Sequence, residues 1–396
     1  MSKHEPPQLL RPREGQGSAR VTNIELFFDL VFVFAITQLS HTLLQHLDFE
    51  GAAHTLLLFL AVWWVWIFTS WITNWLDPEK VPVRLMLLAL MLAGLVLSSS
   101  LPQAFASRGL AFAVAYVVMQ VGRSLFTLWA VRHHSAAAFR NFVRISCWLG
   151  LAAPFWIIGG MHGGRTQWTH WSIALFIEYL APLAFFWVPG LGRSRIDDWD
   201  VQGSHLAERC SLFVIIALGE SILVTGATFA EMDWTTAALS AFVSAFLGSV
   251  AMWWIYFDTA ADRASERISK ANEPGRQARS AYTYLHLIIV AGIVVCAVAD
   301  ELTMAHPEHA DTGAIVAILG GPALYVLGNA LFKWNTNDRR GPPLSHLIGI
   351  VLFAGLALWG SQLTATTLGM ATTAVLVVVA AWESASLRLS TTRSDA

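Results

Sequence analysis

Residues 24–46 read IELFFDLVFVFAITQLSHTLLQH, an apolar run that is interrupted near its start by Glu25 and Asp29. A helix of this length rises about 34 Å at ~1.5 Å per residue, which is enough to cross a hydrocarbon core of about 30 Å. Runs of similar length and polarity recur along the rest of the chain. The sequence therefore predicts an all-α, polytopic membrane protein.

The apolar runs predict twelve transmembrane helices in a chain of 396 residues. We place them at residues 24–46, 53–74, 83–101, 109–131, 142–160, 168–188, 206–227, 235–257, 281–302, 313–332, 344–362 and 366–386. The composition agrees, because 55% of the residues are hydrophobic and only 13% are charged, against about 25% charged in soluble domains. We expect the lipid bilayer and a small solute or ion as partners, no nucleic acid and no cofactor, and leave a homo-oligomer open.

The basic residues predict the orientation of these helices. With the N-terminus in the cytosol, all but three of the 25 Lys and Arg lie in cytosolic segments or at the cytosolic ends of the predicted helices. The three others are Arg108 and Arg165 in outer loops and Arg123 inside a helix. Because cytosolic loops are enriched in Lys and Arg, we expect a protein of the inner (plasma) membrane with both termini cytosolic.

A weak internal repeat indicates two six-helix halves. Residues 122–126 (GRSLF) match residues 328–332 (GNALF), and residues 63–68 (WWVWIF) resemble residues 253–257 (WWIYF). An even number of helices per half gives both halves the same orientation. We predict a cytosolic, disordered tail at 1–22, halves at 23–189 and 206–388, a cytosolic linker at 190–205 and a cytosolic tail at 389–396.

Charged residues inside the predicted helices each need an explanation, since a charge in the hydrocarbon region costs at least about 2.5–3.5 kcal/mol. Glu25 and Asp29 are four residues apart and share one face of the first helix. Arg123 lies at a similar depth in the fourth helix. An ion pair between Asp29 and Arg123 would neutralise both charges, and we predict this pair as a structural one.

Glu220 is the first candidate for a functional carboxylate. It lies about 18 Å into the seventh helix, counted from Glu208 and Arg209 at ~1.5 Å per residue, and it is followed by Ser221. No basic residue of the same helix comes within its reach. A hydrogen-bonded structural role is the alternative.

Further proton-path candidates lie in other helices. Glu178 falls near the bilayer centre in the sixth helix, and His41 lies near the outer end of the first. A buried carboxylate at such depth can exchange protons. A histidine at a helix end is more often structural, and Asp300 and Glu301 are expected to be solvated at the outer mouth of the ninth helix.

Tryptophan clusters offer candidates for an aromatic cavity. These residues lie within the second and eighth helices rather than at helix ends: Trp63, Trp64, Trp66, Trp253 and Trp254. Rings of this kind can line a pocket for an organic or cationic ligand. Simple packing is the alternative interpretation, and for these residues it is the more common one.

No motif for a known catalytic or metal centre is evident. The chain lacks a P-loop, a GxGxxG strand turn, HExxH and GxSxG. Asp258 and Asp262 form a weak DxxxD candidate for Mg²⁺ on a lipid diphosphate, and residues 197–200 (DDWD) add acidic groups in the linker. Short acidic clusters also arise by chance, so we predict no metal site.

Residues 25–36 (ELFFDLVFVFAI) and 217–221 (ALGES) together resemble the bacterial low temperature requirement protein A family. The resemblance covers nearly the whole chain and implies a multi-pass membrane protein without an established activity. The first helix is also similar to that of two-repeat, twelve-helix potassium channels, whose motif is R-x-x-x-F-S-D. Here Asn23 stands in the place of the arginine and Phe28 in that of the serine.

We favour a function in transport, as a transporter or channel for a small solute or ion, with proton coupling as an option. Glu220, Glu178 and Asp29 would lie near the path, with Glu25, His41 and Ser221 as further candidates. One alternative is an intramembrane enzyme that acts on a lipid or isoprenoid through buried carboxylates. Another is a membrane scaffold or sensor.

Overall fold

The computed structural model describes residues 9–11, 20–194, 202–258, 279–336 and 341–394, with side chains up to residue 386. These residues form twelve helices, which confirms the predicted all-α fold. The helices are α1 Asn23–Gln45, α2 Phe49–Trp75, α3 Val81–Ser100, α4 Gly109–Val131, α5 Ala136–Met161, α6 Gly164–Leu183, α7 Gly203–Ala230, α8 Thr236–Phe257, α9 Arg279–Ala305, α10 Thr312–Thr336, α11 Leu344–Ala357 and α12 Ala365–Ser394.

Ten of the helices in the described ranges are long and apolar enough to cross a membrane. The two others are α6, whose sequence includes polar residues such as Gln167 and Glu178, and α11. With 14 residues, α11 rises only about 21 Å at ~1.5 Å per residue. The predicted helix at 344–362 was therefore too long, because a short 3₁₀ turn, Gly360–Gln362, follows instead.

Side-chain caps fix where several helices begin. The hydroxyls of Ser135 and Thr235 accept hydrogen bonds from backbone N–H groups three residues later, at 3.3 and 3.1 Å. The carboxylate of Asp311 accepts from Ala314 N in the same way, at 2.7 Å. Each cap satisfies one of the backbone donors that a helix N-terminus leaves open.

Large apolar side chains cover the outer faces of the helices. On α3 they follow one stripe at helical spacing: Leu85, Leu88, Leu92 and Val96, which are between 39% and 67% exposed. An apolar stripe of this kind would be a liability in water. It is the expected surface of a multi-pass membrane protein, whose solvent is lipid.

The chain divides into two compact units, which we call unit 1 (residues 1–38 and 56–206) and unit 2 (residues 39–55 and 207–396). Within unit 1, α5 packs against α4 and α6. Within unit 2, α9 packs along α10, and α8 packs against α12.

Two glycines allow the backbones of α9 and α10 to approach closely. A Cβ atom on Gly292 would lie 2.5 Å from Tyr325 N, and one on Gly328 would lie 2.8 Å from Ile289 N. Small residues are the usual solution for close helix packing in lipid, where packing and hydrogen bonds replace the hydrophobic effect.

The predicted orientation can be tested at the two ends of α5. A reporter that is active only in the cytosol should give a signal when fused after His134, because the Lys/Arg bias places this loop inside. Fusion after Gly163, one helix later, should give no signal. The reverse pattern would contradict cytosolic termini.

Candidate functional site

Glu178 on α6 lies at the centre of a buried polar network in unit 1. Its carboxylate accepts hydrogen bonds from Tyr116 Oη at 2.6 Å, Gln120 Nε2 at 2.9 Å and Trp156 Nε1 at 2.9 Å. These donors come from α4 and α5, and all four side chains are buried. All three side chains donate to Glu178, so the carboxyl oxygens act as acceptors toward each of them.

Arg123 carries a positive charge near Glu178, and Gln120 connects the two side chains. Its guanidinium donates to Val65 O at 3.0 Å, to Thr69 Oγ1 at 2.8 Å and to the Gln120 side-chain oxygen. Gln120 thus links Arg123 to Glu178, accepting from one and donating to the other. It belongs to a π-helical segment of α4, Val118–Gly122, and such irregularities are frequent at functional sites.

The predicted ion pair between Asp29 and Arg123 is wrong. Arg123 is instead bound by the groups just described, and Asp29 Oδ1 accepts a hydrogen bond from Trp66 Nε1 at 2.9 Å. Both residues are buried. Depth along a helix could be estimated from the sequence, but the rotation of α4, which directs Arg123 toward α2 and Gln120, could not.

Glu25, the acidic residue of the first turn of α1, caps that helix. Its carboxylate accepts from the backbone N and the Oγ1 of Thr22, both at 2.9 Å, which completes one side of a capping box. It also lies 2.8 Å from an Arg11 guanidinium nitrogen and 2.9 Å from His205 Nε2. Arg11 belongs to the predicted tail and donates to Thr73 O at 2.7 Å.

Unit 2 contains a buried ion pair that sequence analysis missed. Lys333 Nζ lies 2.6 Å from Glu383 Oε2 and donates to Ile255 O at 2.8 Å. His346 Nε2 lies 3.8 Å from the same carboxylate oxygen. The predicted helix at 313–332 leaves Lys333 among the cytosolic charges. In the structure α10 continues to Thr336, and Lys333 is buried. A lysine inside the last turn of a long apolar helix was the signal available.

Asp300 differs from its predicted solvated position, because it is partly buried and lines a cavity of unit 2. The cavity has a volume of about 30 Å³ and lies between α8, α9, α10 and α12. Ser221 of α7 lies next to the Asp300 carboxyl group. Asp300 is five residues from the end of α9 at Ala305, or about 7–8 Å along the helix axis at ~1.5 Å per residue.

The remaining proton-path candidates are spread over unit 2. Glu220 on α7 is buried, with 6% of its surface exposed, and Ser221 is fully buried. His41 is exposed and lies near Glu301 of α9. Glu220 and Ser221 are therefore buried, while His41 is exposed.

The tryptophan candidates divide into packed and exposed groups. Trp63, Trp64 and Trp66 are at most 1% exposed, and Trp64 stacks on Tyr179 with a centroid distance of 3.9 Å. In unit 2 the rings lie at the surface, since Trp253 and Trp254 are 44% and 40% exposed. The first group is therefore packed in the interior, and the second group lies on a surface that faces lipid.

The weak metal candidate lies only in part within the described ranges. Asp258 is exposed and accepts a hydrogen bond from Ser384 Oγ at 2.8 Å, and Asp262 and residues 197–200 lie outside the described ranges. In the part of the chain that the structure describes, no group of three or more His, Cys, Asp or Glu could hold a metal ion.

Comparison with known proteins agrees with the resemblance found in the sequence. Residues 20–381 match the protein family that is described as "Bacterial low temperature requirement A protein (LtrA)". The chain is 41% identical over 378 residues to the uncharacterized protein RA0937 of Rhizobium meliloti (strain 1021), covering 95% of this chain and 92% of that protein. No solved structure matches the chain. A match that extends over both units of this multi-pass membrane protein shows that the chain belongs to the bacterial low temperature requirement A family.

Proposed function

We propose that this protein is a transporter or channel for a small solute or ion in the bacterial cell membrane, with coupling to protons. Buried ionisable residues in membrane helices are costly, and they are typical of ion pathways and proton relays. Both units contain them, with Glu178 and Asp29 in unit 1 and Glu220 in unit 2, where the partly buried Asp300 also lines a cavity.

The observation that carries the proposal is the chain of polar contacts from Glu178 through Gln120 to Arg123. It connects α6, α4 and α2 inside the membrane-embedded part of unit 1. Each link is a hydrogen bond that can be exchanged for one to water or to a solute. Because Gln120 sits in a π-helical segment, a shift of that segment by one residue would move it away from Glu178 and open the contact.

A simple structural role for the network would need fewer ionisable groups. Polar side chains that only join membrane helices are commonly Ser, Thr, Asn or Gln, which carry no charge. A carboxylate held by three donors, with an arginine one side chain away, supports a role for charge itself.

The proposal is tested with carboxylate-to-amide variants in liposomes that contain a trapped pH dye. Glu178→Gln and Glu220→Gln keep side-chain size but remove the exchangeable proton, so proton-coupled flux should fall to the level of empty liposomes. Glu79→Gln, at an exposed carboxylate in the loop between α2 and α3, is the matched control and should keep wild-type flux.

Two outcomes would contradict the proposal. One is an unchanged flux in both buried-carboxylate variants, which would remove these residues from the mechanism. The other is a folded wild-type protein without any flux of protons, ions or small solutes, which would favour an enzyme or a scaffold.

A further inference from the structure

The cavity of unit 2 is large enough to hold a small ion or a water molecule. Its volume of about 30 Å³ exceeds the roughly 10–15 Å³ that a single water molecule needs when measured in the same way. Four membrane helices form its walls, and Gly248 and Gly369 line it without side chains. What the cavity would accept depends on the polar atoms that these helices direct at it.

Two threonine hydroxyls in the wall use their hydrogens elsewhere. Thr303 Oγ1 donates to Ala299 O at 2.8 Å, and Thr372 Oγ1 donates to Gly369 O at 2.9 Å. A hydroxyl has one hydrogen and two acceptor lone pairs. With its hydrogen bound to the helix backbone, each oxygen is left as an acceptor.

The same is true of a second pair of hydroxyls, which lie across α8 and α12. Ser244 Oγ donates to Thr373 Oγ1 at 3.1 Å, and Thr373 Oγ1 donates to Ser244 O at 3.2 Å. Both residues line the cavity. Their hydrogens are therefore also committed to protein acceptors, and their remaining lone pairs are available for a ligand.

A backbone carbonyl adds another acceptor. Pro322 lies within α10, and both Pro322 and Ile318 line the cavity. Since proline has no N–H, the carbonyl four residues earlier, that of Ile318, loses its helical donor. A backbone carbonyl without a helical donor can serve as a cation ligand, as the carbonyls of unwound helix segments do in membrane transporters.

The net charge of the wall is set by Asp300. No Lys, Arg or His lines the cavity, and in the described part of the chain no ion pair includes Asp300. An unpaired carboxylate in a membrane helix is costly. One positive charge would neutralise it, whereas a divalent ion would leave an excess charge in a medium of low dielectric constant.

We infer that this cavity binds a small monovalent metal cation, Na⁺, with Asp300 as its anionic ligand and hydroxyl and carbonyl oxygens as the neutral ones. The oxygen acceptors of this wall suit a hard cation and disfavour anions. Two sulfur-bearing residues, Met252 and Cys296, line the cavity as well. The inference goes beyond transport, because the ion can bind here whether or not the protein moves it.

Binding is measured on the purified full-length protein in detergent, in a buffer whose only cation is N-methyl-D-glucamine. We expect saturable binding of ²²Na⁺ near one ion per chain, together with a rise in Tm as NaCl is added. Asp300→Asn should abolish both effects. Thr303→Val, which keeps the shape but removes one ligand oxygen, should weaken binding about tenfold, equivalent to ~1.4 kcal/mol.

Two further variants keep the test decisive if Asp300→Asn does not fold. Gly248→Ala would place a methyl group 3.3 Å from Thr373 Oγ1, and it should reduce Na⁺ binding by filling the cavity. Glu301→Gln removes the neighbouring carboxylate, which does not line the cavity, and it should bind as wild type does.

Three results would overturn the inference: no saturable binding by folded wild-type protein, unchanged binding in Thr303→Val and Gly248→Ala, or displacement of ²²Na⁺ by micromolar Ca²⁺. Loss of Na⁺ binding with intact proton flux would refute the cation site alone. Intact binding without any flux would refute only the transport proposal.

Discussion

Replacing Lys333 by methionine is expected to destabilise the protein by about 3–5 kcal/mol, because it removes the cation that pairs with Glu383 in the interior of unit 2. The two side chains are 3% and 7% exposed, and their charged atoms are 2.6 Å apart. Methionine fills a similar volume, so the loss would reflect charge rather than packing. Fluorescence-detected size-exclusion chromatography after heating in detergent would measure the lower thermostability.

Two variants separate this effect from a general sensitivity to the loss of lysine. Lys333→Met combined with Glu383→Leu removes both charges, and it should recover most of the stability that Lys333→Met loses. Lys80→Met removes the exposed partner of Asp77, 3.9 Å away, and should change stability by no more than about 0.5 kcal/mol. A double variant no more stable than Lys333→Met would contradict the pairing.

Arg123→Leu is expected to have a comparable effect in unit 1. It removes the positive charge nearest to Glu178 and leaves the Gln120 side-chain oxygen without its donor. Val65 O and Thr69 Oγ1 also lose a bond to Arg123 but keep the one between them, at 2.8 Å. Unpaired buried polar groups cost about 1–3 kcal/mol each, so the variant should express poorly or lose its monodisperse peak.

Double variants show which carboxylate balances the charge of Arg123, because removing that carboxylate should restore stability to Arg123→Leu. Arg123→Leu with Glu178→Gln should recover part of the stability, because it also neutralises the carboxylate that Gln120 connects to Arg123. Arg123→Leu with Asp29→Asn should give no recovery, since Asp29 is bound by Trp66. Recovery only with Asp29→Asn would support the ion pair that the sequence suggested.

Hydropathy was sufficient to predict the helices. Each of the twelve predicted runs corresponds to one helix of the described chain, because the cost of exposing backbone in lipid enforces helical structure. The extents agree less well. Apolar residues continue past Ala357 but α11 does not, and α12 runs to Ser394, beyond its predicted end at residue 386. Apolarity predicts burial in lipid, and it does not locate the end of a helix.

Side-chain partners could not be predicted to the same extent. The sequence indicated that Asp29 and Arg123 had to be neutralised, but it did not identify Trp66 or Gln120 as the groups that bind them. Asp300 and Lys333 were assigned to the membrane surface because they lie near predicted helix ends. Partner choice depends on the rotation of each helix about its axis, which the period of apolar residues fixes poorly when lipid surrounds the protein.

The dissipation of an imposed pH gradient by wild-type protein is the most direct test of transport. Purified protein is reconstituted into liposomes with a trapped pH dye, and Na⁺, K⁺ or N-methyl-D-glucamine is supplied in turn outside. We predict a change in internal pH that scales with the protein-to-lipid ratio and is lost in Glu220→Gln. A monodisperse, reconstituted protein whose liposomes hold the gradient as well as empty ones, with every cation tested, would contradict the proposed function.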